Sequence, residues 1–489
     1  MNHQRTPLFT ALIDHAEKKP LQFHIPGHKS GTAMSNEFKH FIGDNTLSID
    51  LINIAPLDDL HQPTNVIKEA QLLAADAFGS DHTFFSVQGT SGAIMTMVLS
   101  TCKPGDKIIV PRNVHKSIMT AIIFAGAKPV FISPVMDETL GISHGISTDS
   151  VTKALTLHPD AKALLVINPT YYGVSTNLKE VVDIAHSYDI PVLVDEAHGA
   201  HIHFHDDLPM SAMQAGADLS ATSVHKLGGS LTQSSILNVK GNRVDAGKVQ
   251  SILSMLTTTS TSYILLSSLD CARKQLAIHG YDMAEKSIEL AEYARQKINN
   301  IDGLYCFGSE ILDDNAAYAY DPTKITIHVS KLGITGHEVE VFLRDEHNIE
   351  VELSDMYNIL CIITAGDTFE TIDALVQAIQ TCVSKVGNDD AMTQISLKTP
   401  DTPQLSLTPR DAFYAETELI PLKEAAGRIM AEFIMIYPPG IPIVIPGEVI
   451  SQTNIDYVIE HIEAGYPVQG PEDKTIENVK VIVEKSAIT

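Results

Sequence analysis

Short apolar runs alternate with amphipathic stretches between about residues 81 and 239 of the chain. Apolar positions recur at helical spacing in HKSIMTAIIFAGA (115–127) and NLKEVVDIAHSYD (177–189), which predicts helices. Buried strands linked by such helices predict βαβ units, a mainly parallel central sheet and an α/β fold. The strand-like runs, rich in β-branched residues, are HTFFSV (82–87), DKIIV (106–110), KPVFI (128–132), ALLVINP (163–169) and IPVLVDEA (190–197).

The pattern changes after about residue 251. A long helical region covers 262–299, and strands (KITIHVS, NILCIIT) and a helix (GHEVEVFLRDE) then predict a smaller α+β domain. A polar, proline-bearing stretch reads as a linker before a last α+β unit that includes an amphipathic segment at 454–464. The predicted division is an N-terminal segment 1–60, a large domain 61–300, a small α+β domain 301–387, a linker 388–411 and a C-terminal domain 412–489.

Charge and cysteine usage narrow the class of protein. The chain has 34 Lys and Arg against 60 Asp and Glu, a net charge of −26. This charge disfavours nucleic acid and anionic membranes and favours a cationic substrate, although it also serves solubility alone. The five cysteines include no CxxC pair, and the sequence has neither a signal peptide nor an apolar run of about 20 residues. We therefore expect a cytoplasmic protein without a membrane segment.

Two predicted strand ends carry small residues or a histidine. The turn Gly89–Gly92 precedes a helix, where exposed N–H groups favour a phosphate, although many tight strand–helix turns look similar. His115 follows another strand. Its ring is suited to stacking on a flat ligand, but a structural role as the first residue of a helix would explain this histidine equally well.

Two further strand ends carry a buried carboxylate and a lysine. Asp195 closes an apolar strand, where a carboxylate needs a positive partner such as a protonated pyridine nitrogen. The small Ala197 leaves room for a flat ring. Lys226 is followed by two glycines that let the backbone turn closely around it, and Ser223 and His225 can reach a phosphate. The ordered set predicts a site for pyridoxal 5′-phosphate (PLP), which needs a lysine Schiff base and an acidic partner for its ring nitrogen.

The sequence resembles the bacterial ornithine/lysine/arginine decarboxylase family, which has the aspartate-aminotransferase-like fold, and most of all its short biosynthetic arginine decarboxylases. The resemblance implies that Lys226 binds PLP covalently, that His115 stacks on its ring, and that Asp195 pairs with the ring nitrogen. It places His198 near the cofactor's phenolic oxygen or the substrate carboxylate, and 61–300 becomes the PLP-binding domain. It assigns the phosphate to Ser91, Gly92, Ala93, Ser223 and His225. The motifs that carry it are FHIPGHKSG (23–31), DLHQP (59–63), QGTSGA (88–93), HKS (115–117), DEAHGAH (195–201), SVHKLGGSLTQSS (223–235) and PPGIPIVIPGE (438–448).

The resemblance implies decarboxylation of a basic amino acid, with L-arginine to agmatine and CO2 expected first and lysine or ornithine as alternatives. Glu352, Asp355 and Glu448 are candidate carboxylates for a guanidinium. Lys226 and His225 are both candidate donors of the proton to Cα. PLP enzymes of this fold usually share their sites across a two-fold axis, so we expect a homo-oligomer, at least a dimer. The rivals are an aminotransferase, for which the strand NILCIIT lacks the expected arginine, and a non-catalytic protein, which would have lost Lys226 or Asp195.

A histidine-rich segment, HGAHIHFHDD (198–207), raises the question of a metal. His201, His203 and His205 alternate and would share one face of a strand, where imidazoles can bind zinc or nickel. The sequence offers no spaced cysteines or second histidine cluster to complete a ligand shell. We therefore predict polar residues on a strand edge and no metal site.

Overall fold

The computed structural model describes residues 1–313, 315–386, 400–436 and 441–484. The helices are α1 Pro7–Glu17, α2 Asn36–Ile42, α3 Asp44–Ser48, α4 Val66–Phe78, α5 Gly89–Thr101, α6 Lys116–Ala125, α7 Thr148–Leu157, α8 Leu178–Ser187, α9 Ala212–Ala215, α10 Val224–Leu227, α11 Ala246–Leu256, α12 Tyr263–Asn299, α13 Gly336–His347, α14 Phe369–Val386, α15 Pro409–Tyr414 and α16 Gln452–Glu463. The strands are β1 His82–Ser86, β2 Lys107–Pro111, β3 Lys128–Ile132, β4 Met136–Asp137, β5 Ile142–Ser143, β6 Ala163–Ile167, β7 Val174–Ser175, β8 Val192–Asp195, β9 Leu219–Thr222, β10 Ser235–Val239, β11 Tyr305–Cys306, β12 Ala319–Tyr320, β13 Lys324–His328, β14 Leu353–Ser354, β15 Asn358–Ile362, β16 Thr417–Pro421, β17 Ile434–Ile436, β18 Ile441–Val444, β19 Val468–Gln469 and β20 Asn478–Ile482.

The predicted elements between residues 81 and 239 are confirmed. The five apolar runs form β1, β2, β3, β6 and β8, and the two amphipathic stretches form α6 and α8. Strands β2, β6 and β8 are buried along nearly their whole length, which explains why they show no polar–apolar alternation. Chain contacts divide the protein into two compact units, which are described separately.

The first unit comprises Met1–Thr101, Ala163–Asn168 and Leu178–Glu285. Its sheet has the strand order β1-β10-β9-β8-β6. Strands β6, β8 and β9 are parallel, whereas β10 runs antiparallel to both β9 and β1. The carboxyl ends of the parallel strands therefore meet at one edge of the sheet, the usual location of ligand sites in α/β proteins.

The second unit comprises Cys102–Lys162, Pro169–Asn177 and Lys286–Thr489. It contains the parallel pair β2 and β3, and an antiparallel sheet of order β11-β13-β15-β14. That sheet shares a buried apolar core with α12, α13 and α14. The C-terminal part contains β16 paired with β20, a sheet of order β18-β17-β19 and helix α16 around a separate core.

The predicted linker differs from the structure at its end. Residues 387–399 lie outside the described residues, so the first half of the linker stays a prediction. Helix α15 begins at Pro409, inside the predicted range. The Thr408 side chain accepts the Asp411 N–H, and a proline in the first turn has its φ angle preset for a helix.

Candidate active site

Asp195 is the last residue of β8 and lies at the carboxyl edge of the parallel strands. Its side chain is buried, and its Oδ1 accepts a 3.2 Å hydrogen bond from the Ala197 N–H. Burial raises the pKa of Asp195 to about 6, against the opposing effects of the Ala197 N–H and the positive charge of Lys226. A cationic ligand group beside this carboxylate would offset its desolvation.

Lys226 lies in the single turn α10, directly after β9. Its Nζ is 2.8 Å from Nε2 of the buried His198, so a neutral imidazole there accepts a hydrogen bond from the lysine ammonium. Because the charge of Lys226 also acts on Asp195, three of the predicted residues lie together in this unit. The arrangement combines an exposed amine, a buried imidazole and a buried carboxyl group.

The two residues after Lys226 are glycines for different structural reasons. A Cβ at Gly228 would lie 2.8 Å from the carbonyl oxygen of Val224, because the backbone of α10 packs closely there. Gly229 has a φ of +84°, in the left-handed region that side-chain-bearing residues rarely adopt. A side chain at either position would therefore displace the turn that holds the lysine.

Three buried hydroxyls meet beside this turn, at the start of α5. The Thr90 Oγ1 lies 2.8 Å from the Ser235 Oγ and also hydrogen-bonds the Ser223 Oγ. Thr90 begins the helix, Ser223 caps α10, and Ser235 opens β10. Hydroxyls and helix N–H groups suit a phosphate. The prediction included Ser223 but missed Thr90 and Ser235, although Thr90 belongs to the same glycine-bracketed turn.

The other predicted phosphate ligands lie close by in sequence. Ser91 is exposed in the first turn of α5, whereas Gly92 and Ala93 are buried. A Cβ at Gly92 would approach that of Gln88 to 2.8 Å, so the residue is glycine for a packing reason. The His225 Nδ1 is 2.9 Å from the Ser234 carbonyl, so Nδ1 carries a proton and donates a hydrogen bond to that oxygen.

Glu196 is a buried carboxyl that the sequence interpretation missed. Its Oε1 accepts a 2.6 Å hydrogen bond from the Ala212 N–H, and its Oε2 accepts a 3.2 Å bond from the Thr222 hydroxyl. Burial raises the pKa of Glu196 to about 8, and the negative charge of Asp195 acts in the same direction. Gly199 leaves room for it, because a Cβ there would lie 2.6 Å from the Glu196 Cγ.

His115 lies in the second unit, where it caps helix α6. Its Nδ1 accepts a 3.2 Å hydrogen bond from the Ser117 N–H and lies 2.8 Å from the Ser117 hydroxyl. The ring is exposed, so a capping role and a surface for a flat ligand are compatible at this position.

Glu448 binds a guanidinium of its own chain. The Arg112 Nη1 and Nη2 donate hydrogen bonds of 2.6 and 2.8 Å to its two carboxylate oxygens, and both side chains are buried. The Ile445 N–H donates a further 2.9 Å bond. Both Glu448 oxygens are thus already engaged.

The other two candidate carboxylates differ in exposure. Asp355 is buried and accepts hydrogen bonds from the Tyr172 hydroxyl, at 2.6 Å, and from the N–H groups of Tyr357 and Asn358. Glu352 is exposed and accepts a hydrogen bond from the Tyr171 hydroxyl. Of the three, Glu352 alone presents its carboxylate to solvent.

The histidine-rich segment is not a strand, so the predicted strand edge is wrong. Residues Ile202–Phe204 form a 3-10 helix, since the N–H groups of the turn bond carbonyls three residues back. His201 and His205 are buried and His203 is partly so, and the His205 Nε2 lies 2.7 Å from the Glu285 Oε2. In a 3-10 turn, alternate side chains do not share one face.

Comparison with known proteins gives the family. The sequence matches the family model Orn/Lys/Arg decarboxylase, major domain, over residues 6–371, and the C-terminal domain of the same family over residues 390–470. The chain belongs to the Orn/Lys/Arg decarboxylase family. The resemblance stated from the motifs is thereby confirmed, and with it the identification as a carboxy-lyase of this family.

Members of the family differ in their similarity to the chain. An arginine decarboxylase of Bacillus subtilis is 64% identical over the full length of both chains, and one of Bacillus anthracis is 63% identical over 100% of this chain and 99% of that one. The crystal structure of a lysine decarboxylase of Francisella novicida superposes with a TM-score of 0.85, over 98% of this chain and 81% of that one, at 23% identity. The structural likeness confirms the predicted fold class.

Among the described residues, no helix combines the length and the apolar character of a membrane-spanning segment.

Proposed function

We propose that the protein is a PLP-dependent decarboxylase that converts L-arginine to agmatine and CO2 in the cytoplasm. The observation that carries the proposal is the cluster of Asp195, His198 and Lys226 at the carboxyl edge of a parallel sheet. The family membership supports decarboxylation. Arginine is favoured over lysine because the relatives with 64% and 63% identity are arginine decarboxylases, whereas the lysine decarboxylase of known structure is only 23% identical.

The residues present fit PLP. The Lys226 amine would carry its aldehyde, and the Asp195 carboxylate would pair with its ring nitrogen, which would offset the cost of burying this acid. The Thr90, Ser223 and Ser235 hydroxyls would hold the phosphate. When bound, PLP supplies a ring that accepts the electrons of the breaking bond between Cα and the carboxylate. His115, Ser91, Gly92, Ala93 and His225 remain proposed contacts from the family resemblance.

The chain's own residues have distinct roles in this reaction. Asp195 would hold a proton on the ring nitrogen, because a positive charge there would offset the cost of burying its carboxylate. His198 accepts a hydrogen bond from Lys226 and so orients the amine. Lys226 and His225 both stay candidates to return a proton to Cα.

The exposed carboxylate Glu352 is the group that we propose for the substrate guanidinium. Its neighbour Tyr171 holds the carboxylate through one hydrogen bond, and a carboxylate can accept two parallel bonds from a guanidinium. The ammonium of lysine or ornithine would leave one of these bonds unmade. We also propose that the enzyme is a homodimer or a larger even oligomer, as expected for this fold.

Product analysis with three substrates tests the function. Purified enzyme with PLP is incubated with equal concentrations of arginine, lysine and ornithine, and amine products are separated chromatographically. We expect agmatine to dominate, and cadaverine or putrescine in excess would refute the arginine assignment.

Lys226→Ala should abolish turnover and the visible absorbance of the bound cofactor, whereas Lys274→Ala on α12 should change neither. Turnover by Lys226→Ala at the wild-type rate would refute the lysine assignment.

A further inference from the structure

Glu196 lies between two turns that bring the amine and the imidazole of this site together. Its side chain is buried and comes directly after Asp195, and no step of the proposed reaction uses it. Both of its carboxyl oxygens accept hydrogen bonds from residues of the same unit, as expected for a buried polar group. The elements that these hydrogen bonds hold in place indicate what the carboxyl does.

The first turn, Glu196–Gly199, carries His198. The Gly199 N–H donates a 2.9 Å hydrogen bond to the Glu196 carbonyl, which closes the turn. The Glu196 side chain packs against this turn, since a Cβ at Gly199 would lie 2.6 Å from its Cγ. Its Oε1 also accepts the 2.6 Å bond from the Ala212 N–H at the start of α9. The carboxyl thus holds the turn that carries the His198 imidazole.

The second turn is α10, which carries Lys226, and Glu196 holds the strand that leads into it. The Glu196 N–H donates a 3.0 Å bond to the Ala221 carbonyl, and its Oε2 accepts the 3.2 Å bond from the Thr222 hydroxyl. These are the last two residues of β9, and Ser223 caps α10 directly after them. The backbone N–H of Lys226 in turn donates a 3.1 Å bond to the Ser223 carbonyl. A displacement of Thr222 would therefore also displace the lysine.

We propose that Glu196 is a positioning residue for the active-site lysine, and that it holds the turns of His198 and Lys226 at the separation at which their side chains form a hydrogen bond. The Lys226 Nζ and the His198 Nε2 are 2.8 Å apart, whereas a separation of about 3.6 Å would no longer be a hydrogen bond. A shift of either turn by less than about 1 Å would therefore break this bond. The proposal rests on the proposed role of Lys226 in binding PLP, but not on the choice of substrate.

The protonation state of Glu196 supports this role. Burial raises its pKa to about 8, so the carboxyl is mainly neutral at pH 7. The amide of a glutamine has the same shape, and it can accept the Ala212 N–H through its oxygen and donate to the Thr222 hydroxyl through its nitrogen. Glu196→Gln should therefore keep both turns in place, whereas Glu196→Leu removes both hydrogen bonds.

Titration of the apoenzyme with PLP, followed by the visible absorbance of the bound cofactor, tests the role. Thr222→Val removes the hydroxyl at nearly constant side-chain shape. We expect it to raise the dissociation constant of PLP roughly two- to tenfold, the range that one net hydrogen bond contributes. Glu196→Leu, which loses two hydrogen bonds, should raise it by about tenfold or more, and Glu196→Gln should stay within about twofold of wild type.

Thr83→Val is the matched control. Thr83 is a buried threonine of β1 in the same sheet, and its hydroxyl donates a 2.6 Å bond to the Asn238 side chain. Its loss should lower the free energy of unfolding about as much as Thr222→Val does, but it should leave the PLP dissociation constant unchanged. Denaturant unfolding of each apoenzyme measures the stability.

Three results would overturn the proposal. The first is a wild-type PLP constant in Thr222→Val, the variant that keeps Glu196 intact. The second is an equal rise in Thr83→Val, because a general loss of stability would then explain both. The third is a loss of PLP affinity in Glu196→Gln as large as in Glu196→Leu, because the two hydrogen bonds would then not be the cause.

The role of Glu196 and the proposed function fail separately. If Lys226→Ala loses the visible absorbance as expected while Thr222→Val and Glu196→Leu bind PLP like wild type, only the role of Glu196 is refuted. If Lys226→Ala keeps that absorbance, the proposed role of Lys226 is refuted first, and the role of Glu196 with it. An enzyme that binds PLP but makes no agmatine would refute the substrate and leave the PLP titrations valid.

Discussion

At the scale of single residues, two adjacent carboxyls at the end of β8 have opposite surroundings. Asp195 has one backbone donor and lies beside Lys226, so it can pair with a cationic ligand. Both oxygens of Glu196 accept hydrogen bonds, from the Ala212 N–H and from the Thr222 hydroxyl, so this side chain has a structural role in the protein interior. The two side chains thus have different hydrogen-bond partners although they are adjacent in the sequence.

Asp195→Asn should retain the cofactor and lower kcat by roughly 10²- to 10⁴-fold, the range that positioned acid–base groups contribute. An amide cannot hold a proton on a pyridine nitrogen by charge. The measurements are kcat for decarboxylation and the visible absorbance of the cofactor.

Asp218→Asn is the matched control, since Asp218 is equally buried but precedes β9 at the opposite edge of the sheet. It should change stability without changing the cofactor spectrum. A near-normal kcat in Asp195→Asn would contradict the role given to Asp195.

Glu196→Gln should change how stability depends on pH. Burial raises the pKa of Glu196 from its usual 4.5 to about 8, so the folded state binds the proton more tightly than the unfolded state. This contribution is present at low pH and is lost as pH rises from about 4.5 to about 8. The variant, which is always neutral, should therefore gain Tm relative to wild type as pH rises through this range.

Calorimetry of both proteins across that range measures the difference in Tm. Glu180→Gln, at an exposed position on α8, should show a difference that does not vary with pH. A pH-independent difference for Glu196→Gln would contradict its burial as a neutral acid.

At the scale of elements, a strand end in the second unit is connected to a distant part of the sequence. Arg112 directly follows β2, and its guanidinium also donates a 3.0 Å hydrogen bond to the Pro442 carbonyl in β18. The buried pair with Glu448 thus connects the turn that leads to His115 with the C-terminal strands. The interaction is structural, because both charged groups are satisfied by each other.

Glu448→Gln should lower the free energy of unfolding by about 3–5 kcal/mol, because it leaves the Arg112 charge buried without its counter-ion. Denaturant unfolding measures this change. KM for arginine in the remaining folded enzyme should stay near the wild-type value.

Glu352→Ala is the contrasting variant. Its exposed side chain should contribute no more than about 1 kcal/mol to stability, but its loss should raise KM for arginine. An increased KM in Glu448→Gln at unchanged stability would reverse these assignments.

At the scale of the whole molecule, the net charge bears on the class of substrate. A net charge of −26 favours a cationic amino acid but does not distinguish arginine from lysine or ornithine. That distinction depends on a local carboxylate, for which Glu352 is proposed.

The sequence by itself determined the predicted strands and helices between residues 81 and 239 and the order of the chemical groups at the strand ends. These are local properties: a β-branched apolar run forms a strand, and the residue after it lies at the sheet edge. Tertiary structure alone decided which groups meet. Arg112 and Glu448 form an ion pair although they are 336 residues apart in the sequence, and Thr90 and Ser235 form a hydrogen bond although they are 145 residues apart. Asp355 and Glu352 are close in the sequence, but Asp355 is buried and Glu352 is exposed. A hydrogen bond needs its partner within about 3 Å, and sequence spacing does not specify that distance for residues on different elements.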